Sequence, residues 1–185
     1  MDTAIPSGWQ GLAVTQVFGM TATINEILAL DLLTLREHTE RAGDVLDADQ
    51  HRVRLQASLE VCAVCSVRKA GELVAYAMLR PESETCWFVS GLSTHPLHRT
   101  PTVMSELLSK LAELAGRMGI VELRSNVYKT NRLSMAFHRK LGFHIRRENE
   151  KAVEFFAAVS TISGRPSVQR AVGKRGLSAG GLSEN

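Results

Sequence analysis

Apolar residues recur along this chain with either helical or strand spacing, and the alternation of the two periods predicts the order of elements. Leu12–Phe18 alternates weakly and is β-branched enough for a first strand. Thr23, with Glu26 three residues on, reads as a capping box opening a helix from Ile24 to about His38. Ile27, Leu28, Leu32 and Leu35 mark its buried stripe, which Leu30 and Leu33 widen. A shorter helix is predicted over Asp49–Leu59, after a loop carrying Asp44, Asp47 and Asp49. Val61–Arg68 and Leu73–Arg80 read as a hairpin that turns at Gly71, and Cys86–Ser93 as the next strand.

Thr94–Thr100 is a loop with two histidines and an arginine, from which Pro101 or Thr102 opens a helix to Met118. Val103, Leu107, Leu108, Leu111, Leu114, Ala115 and Met118 share one face of that helix, and Gly119 ends it. A strand at Val121–Val127 follows, then Asn131 as the cap of a short helix that stops near Leu141-Gly142. Phe143–Ile145 and Val153–Ala158 close the sheet. Strands that first run in sequence and then alternate with helices predict an α/β (α+β) fold. Its sheet is mixed and mostly antiparallel, locally parallel across a crossover, with helices on both faces.

The chain has 185 residues and 44% hydrophobic residues, which suits one globular domain. No apolar run reaches the roughly 18–20 residues of a membrane span, and no basic-then-apolar leader opens the sequence. The expected location is cytoplasmic. The net charge of +3 comes from 22 basic against 19 acidic residues. From Gly164 onward stand Arg165, Arg170, Lys174 and Arg175 against Glu184, so the excess lies in the last residues. We therefore expect a single domain over residues 1–163 and a flexible, basic, Gly/Ser-rich tail over 164–185. A neutral body argues against nucleic acid as a partner.

Cys62 and Cys65 have the spacing of a redox pair, but Val-Cys-Ala-Val-Cys-Ser-Val reads as a strand. Positions i and i+3 of a strand face opposite ways, so core packing is the expectation for both. No second pair completes a metal site, and no metal is expected.

The sharpest segment is the strand, loop, helix and strand between Cys86 and Val127. A long helix that starts directly after a strand presents unpaired N–H groups and the positive end of its dipole, which suits phosphate. Arg99 stands at its mouth. Leu92-Ser93-Thr94-His95-Pro96-Leu97-His98-Arg99, the leucine-rich helix, Val127-Tyr128-Lys129-Thr130-Asn131 and Phe137-His138-Arg139-Lys140-Leu141-Gly142-Phe143 follow in order. In that order and spacing they resemble the GNAT superfamily of acyl-CoA N-acyltransferases.

The resemblance implies a sheet splayed between the strands at Leu92 and Val121, with acetyl-CoA as co-substrate in the gap. Backbone groups of Leu92, Ser93 and Thr94 would pair with the pantetheine arm. The loop of Arg99, Thr100, Thr102, Val103 and Met104 would cradle the pyrophosphate, with Asn131 and Ser134 on the pantetheine side. Two departures stand out. Thr102 and Met104 occupy positions where the family places glycine, and Pro101 removes one donor. His138 stands where many relatives carry a tyrosine that protonates the leaving thiolate; a histidine can do the same, act as a base, or simply pack. His95, Glu84 and, through water, Ser90 are the candidate bases.

The implied activity is N-acetyl transfer to a primary amine, on a small molecule or a peptide. Alternatives keep the fold with a longer acyl donor, on CoA or on acyl carrier protein, or make it a non-catalytic binding or sensor domain. A homodimer is left open.

Overall fold

The computed structural model describes residues 22–178. The expected strand at Leu12–Phe18 lies outside them. The first helix, α1 (Ile24–Arg41), starts on the anticipated capping box: Thr23 accepts from the Glu26 amide while the Glu26 carboxylate accepts from the Thr23 amide. Asp47 caps α2 (Ala48–Val61) by accepting from the Gln50 amide at 2.8 Å. Strands β1 (Ala63–Lys69) and β2 (Glu72–Pro81) form the hairpin. Its two connecting residues, Ala70 and Gly71, both have positive φ, the twist a two-residue turn between right-twisted strands requires.

Strand β3 (Cys86–Thr94) leads through a single 3₁₀ turn at Pro96–His98 into α3 (Pro101–Met118), which ends on left-handed Gly119. Then come β4 (Glu122–Tyr128), α4 (Arg132–Leu141), β5 (His144–Glu148), β6 (Ala152–Ala158), α5 (Val159–Ser163) and α6 (Pro166–Ser178). The six strands form one sheet in the order β1-β2-β3-β4-β6-β5. Only β3 and β4 run parallel; the other neighbours are antiparallel.

The parallel pairing is short, and this feature shapes the molecule. β3 and β4 pair from Cys86–Glu122 to Val89–Ser125 and then part. Each stays with its own antiparallel neighbour: β3 remains paired to β2 as far as Thr94, and β4 to β6 as far as Tyr128. The register of β3 against β2 slips at Ser90, because Met78 faces Gly91 while Leu79 faces Val89. An extra residue at that point bends the strand and raises its twist, which turns β3 away from β4 where their pairing ends. The sheet is therefore split toward the C-terminal ends of its two central strands.

Helices cover both faces. α1 and α2 pack on one side through Ile27, Leu28, Leu30 and Leu55 against Tyr76 and Met78. α3 packs on the other through Val103, Leu107 and Leu114 against Trp87 and Leu79. Cys62 belongs to the first cluster and Cys65 to the second, so the two thiols lie on opposite faces, and burial pushes the Cys65 thiol up to about 11. Of the strand aromatics, Trp87 is fully buried in the core and Phe88 lies under the Arg80 guanidinium, 5.5 Å from its ring centre.

Residues 166–178 are helical, where a flexible tail is expected. Val168 and Ala171 are buried against Leu108 and Ile162, and the Ser109 hydroxyl donates to the Ala171 carbonyl at 2.8 Å. Two small apolar residues about one turn apart suffice because Leu108 and Ser109 of α3 supply the opposing surface. Gly142 joins this region to the preceding helix: its φ is +96°, and a Cβ there would meet the Arg165 guanidinium at 2.8 Å.

One surface pair carries a pH dependence. Arg68 grips both carboxylate oxygens of Glu26 at 2.6 and 2.8 Å and holds its pKa down to about 2. A depressed folded-state pKa contributes stability above the ordinary carboxylate value near 4.5 and loses it as pH falls through about 2. Acid unfolding of Arg68→Ala should therefore show a shallower loss than the natural chain as pH falls across that window. The difference should be small, since the pair is solvent-screened.

Candidate functional site

The split between β3 and β4 opens into a cleft of about 250 Å³. Leu92, Ser93 and Thr94 form one wall, Asn131, Ser134 and Phe137 another, Arg99 and Met104 the entrance, and Thr34, Leu35 and His38 of α1 the far side. The sequence motif and the geometry thus bring seven of the expected residues together. Asn131 caps α4 by accepting from the Ser134 amide at 3.0 Å, so its side-chain NH₂ is the group left for a ligand.

A second cavity continues from Arg99, Met104 and Phe137 past Thr100, Pro101 and Ser105 to Lys140, Ser167 and Arg170. Among the described residues three cations and no acid line it, and none of the three makes an ion pair. The first turn of α3 supplies fewer backbone donors than its sequence suggests. The Val103 amide is taken by Thr100 Oγ1 at 3.3 Å, and the Met104 amide by the Thr100 carbonyl at 3.1 Å. Val103 itself faces the core, with 2% exposure. Of the amides of Thr102, Val103 and Met104, only that of exposed Thr102 is without a partner among the described residues. Thr102 and Met104 thus stand at the glycine positions, and the charge in this region comes from the side chains of Arg99, Lys140 and Arg170.

The expected proton-transfer residues are placed apart. Glu84 is exposed in the β2–β3 turn, beyond the end of β3 opposite Leu92, and the strand from Cys86 to Leu92 alone spans about 20 Å. It lies off the cleft. His95 starts the 3₁₀ turn, where Nδ1 accepts from the Leu97 amide and the ring packs edge-on against His98, centroids 5.3 Å apart. It does not line the cleft either. His138 is 5% exposed, stacked on Phe155 at 4.9 Å and edge-on to Phe143 at 5.0 Å. Its Nδ1 lies 2.8 Å from the Ser134 carbonyl, which only accepts, so Nδ1 carries the proton. Burial lowers the His138 pKa, favouring this neutral form, and the remaining nitrogen then has no proton to give a thiolate.

Sequence reasoning missed the side of the cleft built by α1. Among the described residues, His38 and Arg99 are the ionisable side chains of the cleft lining, and of these only an imidazole can accept a proton. His38 Nδ1 is buried without a hydrogen-bond partner among the described residues. Behind this wall lies a buried polar network. Asp31, 1% exposed, accepts at Oδ1 from the Tyr76 hydroxyl (2.5 Å) and from Ser93 Oγ (3.0 Å). Its Oδ2 lies 2.8 Å from His51 Nε2. Burial first, and the Asp31 charge second, raise the Tyr76 pKa well above its ordinary value, so the phenol stays a donor. Gly91 makes room for this arrangement, since a Cβ there would stand 3.0 Å from the Tyr76 hydroxyl. An acid inside the apolar stripe of α1 was the available signal.

The acidic loop is committed to structure. Asp44 takes the Lys151 ammonium at 2.6 Å and the Tyr128 hydroxyl at 3.0 Å, which lowers its pKa, while Asp47 caps α2.

Known proteins match this architecture. A family model described as "Acetyltransferase (GNAT) family" matches residues 26–143. The chain belongs to that family of acetyltransferase enzymes. Among solved structures, the PaiA N-acetyltransferase of Thermoplasma acidophilum in complex with coenzyme A aligns with a TM-score of 0.61 at 12% identity, over 80% of this chain and 95% of its own. An aminoglycoside 6'-acetyltransferase type Ii aligns at 0.59 and 15% identity, over 74% and 89%. An acetyltransferase from Thermus thermophilus aligns at 0.57 and 22% identity, over 74% and 93%. A search of curated proteins finds no match. Among the described residues, no helix is long and apolar enough to cross a membrane.

Proposed function

We propose that this protein transfers an acyl group from acetyl-CoA to a primary amine by direct attack in the cleft between β3 and β4. The observation that carries the reading is the continuity of the split sheet with the cation-lined cavity through Arg99, Met104 and Phe137. A pantetheine thioester with a phosphorylated end needs that combination: unpaired strand edge for the arm, positive charge for the phosphates. Arg99, Lys140 and Arg170 hold the phosphate end, and α6 contributes to it through Arg170 and Ser167. The β3 backbone at Leu92–Thr94 and the Asn131 amide orient the arm.

The reaction asks for position and for one proton acceptor. The amine nitrogen bonds to the thioester carbon, the C–S bond breaks with its electron pair leaving on the CoA sulfur as thiolate, and the amine loses a proton. His38 takes that proton from the α1 side. His138 acts as a packed wall residue of the site rather than as the acid that meets the thiolate.

Thermal unfolding with and without acetyl-CoA tests the reading without an acceptor in hand. Ligand at 100 times Kd adds about 2.7 kcal/mol of stability. The paired variant Arg99→Ala/Arg170→Ala should weaken acetyl-CoA about ten- to hundredfold, from two charge-assisted contacts each worth about 1 kcal/mol when exposed. No stabilisation at millimolar acetyl-CoA would overturn the proposal.

A further inference from the structure

A third cavity lies behind the cleft, between the sheet and helices α3 and α4, with a volume of about 60 Å³. It shares Leu92 and Phe137 with the cleft, and Phe137 also borders the cation-lined cavity. The ring of Phe137 thus stands where all three spaces meet. The chamber exists because three alanines, Ala77 of β2 with Ala112 and Ala115 of α3, line it where larger side chains would fill it. The other lining groups are almost all apolar; the imidazole of His138 is the main exception, and its Nδ1 is already engaged by the Ser134 carbonyl.

We propose that this chamber receives the acyl chain of the donor, and that the enzyme takes straight-chain acyl-CoA thioesters of about three to six carbons in preference to acetyl-CoA. The inference rests on the acyl-transfer reading above and deepens it by naming the donor class. At roughly 10–15 Å³ of such volume per water-sized group, the chamber has room for about four methylene-sized groups beyond the acetyl carbons. An apolar cavity of this kind gains nothing from water, which would find few polar partners in it, whereas hydrocarbon entering it leaves water for good packing. The thioester would sit at Phe137, with the carbonyl on the cleft side, where the amine arrives, and the chain passing between Leu92 and Phe137. Transfer then forms the C–N bond and breaks the C–S bond as for acetyl; only the group carried is longer.

Equilibrium binding of acetyl-, propionyl-, butyryl-, hexanoyl- and decanoyl-CoA to the full chain tests this, followed by calorimetry. Each added methylene should tighten binding by about fourfold up to hexanoyl, and decanoyl-CoA should lose that gain. Ala112→Leu, which keeps a good helix former while filling the chamber, should abolish the gain and leave acetyl-CoA within about twofold. Ala112→Val serves as a smaller filling if the leucine disturbs folding. Acetyl-CoA binding with equal affinity for butyryl-CoA, or a chain-length gain untouched by filling Ala112, would overturn the proposal while leaving the acetyl reading in place. Failure of every thioester to bind would overturn the acyl-transfer reading itself.

Discussion

Asp31→Ala is expected to lower folding stability by about 3–5 kcal/mol, the range for removing one partner of a buried charged network. The carboxylate is 1% exposed and accepts from Tyr76 and Ser93 while lying against His51. Its removal leaves a buried phenol, a buried hydroxyl and a nearly buried imidazole without their acceptor, and each unsatisfied group costs on the order of 1–3 kcal/mol. A domain of this size has about 5–15 kcal/mol in total, so the variant should unfold at a much lower urea midpoint with little change in slope. Asp31→Asn, which keeps one acceptor oxygen, should lose less. Combining Asp31→Ala with Tyr76→Phe should cost less than the sum of the two, because the phenol's unpaired state disappears with it. A urea midpoint for Asp31→Ala within about 0.2 M of the natural chain would remove the network from the account of stability. The same carboxylate ties α1 to β3 at Ser93, so the network also sets the position of the α1 wall of the cleft.

His38→Ala is expected to reduce turnover about 10²–10⁴-fold, the usual contribution of a positioned acid or base. Binding of acetyl-CoA should change less than about twofold, because the cations of the phosphate end lie on the other side of the gap. The assay follows free thiol released from acetyl-CoA in the presence of a panel of primary amines. His38 occupies the cleft wall that an amine would meet, and among the described residues no other lining side chain can take up a proton. Added imidazole should restore part of the activity of the alanine variant. Unchanged turnover in that variant would show that the amine arrives already neutral and that the cleft supplies position alone. The comparison with His138→Phe separates the two histidines: a wall residue tolerates the exchange, a proton donor does not.

Most elements were legible because their signals are local. The capping box at Thr23 and Glu26, the leucine face of α3, left-handed Gly119 and the Asn131 cap all act within one or two turns of chain. Cys62 and Cys65 face opposite ways as expected, although Cys62 is the extended C-cap of α2 and only Cys65 belongs to β1. α6 escaped prediction because its small stripe, Val168 and Ala171, has meaning only against Leu108. The proton-transfer residues were harder. Glu84 is near Cys86 in sequence, yet the direction of β3 carries it to the wrong end of the sheet. His138 sits on the expected helix, but whether it faces ligand or core depends on Phe143 and Phe155, which lie beyond that helix in the chain.

The sequence by itself determined the order of helices and strands from α1 to β6, the family to which they belong, and the residues of the gap from Leu92 to Asn131. Those follow from periodicity and short-range capping, which a chain carries in its own neighbours. Tertiary structure decided which side chains face the gap. It brought His38 from α1 and Arg170 from α6 to a site centred on β3, and it tied up the amides of Val103 and Met104. It also placed Asp31 beneath Ser93 and opened an apolar chamber behind Phe137. Each of these depends on surfaces far apart in the chain meeting at one place, and sequence spacing holds no record of that distance.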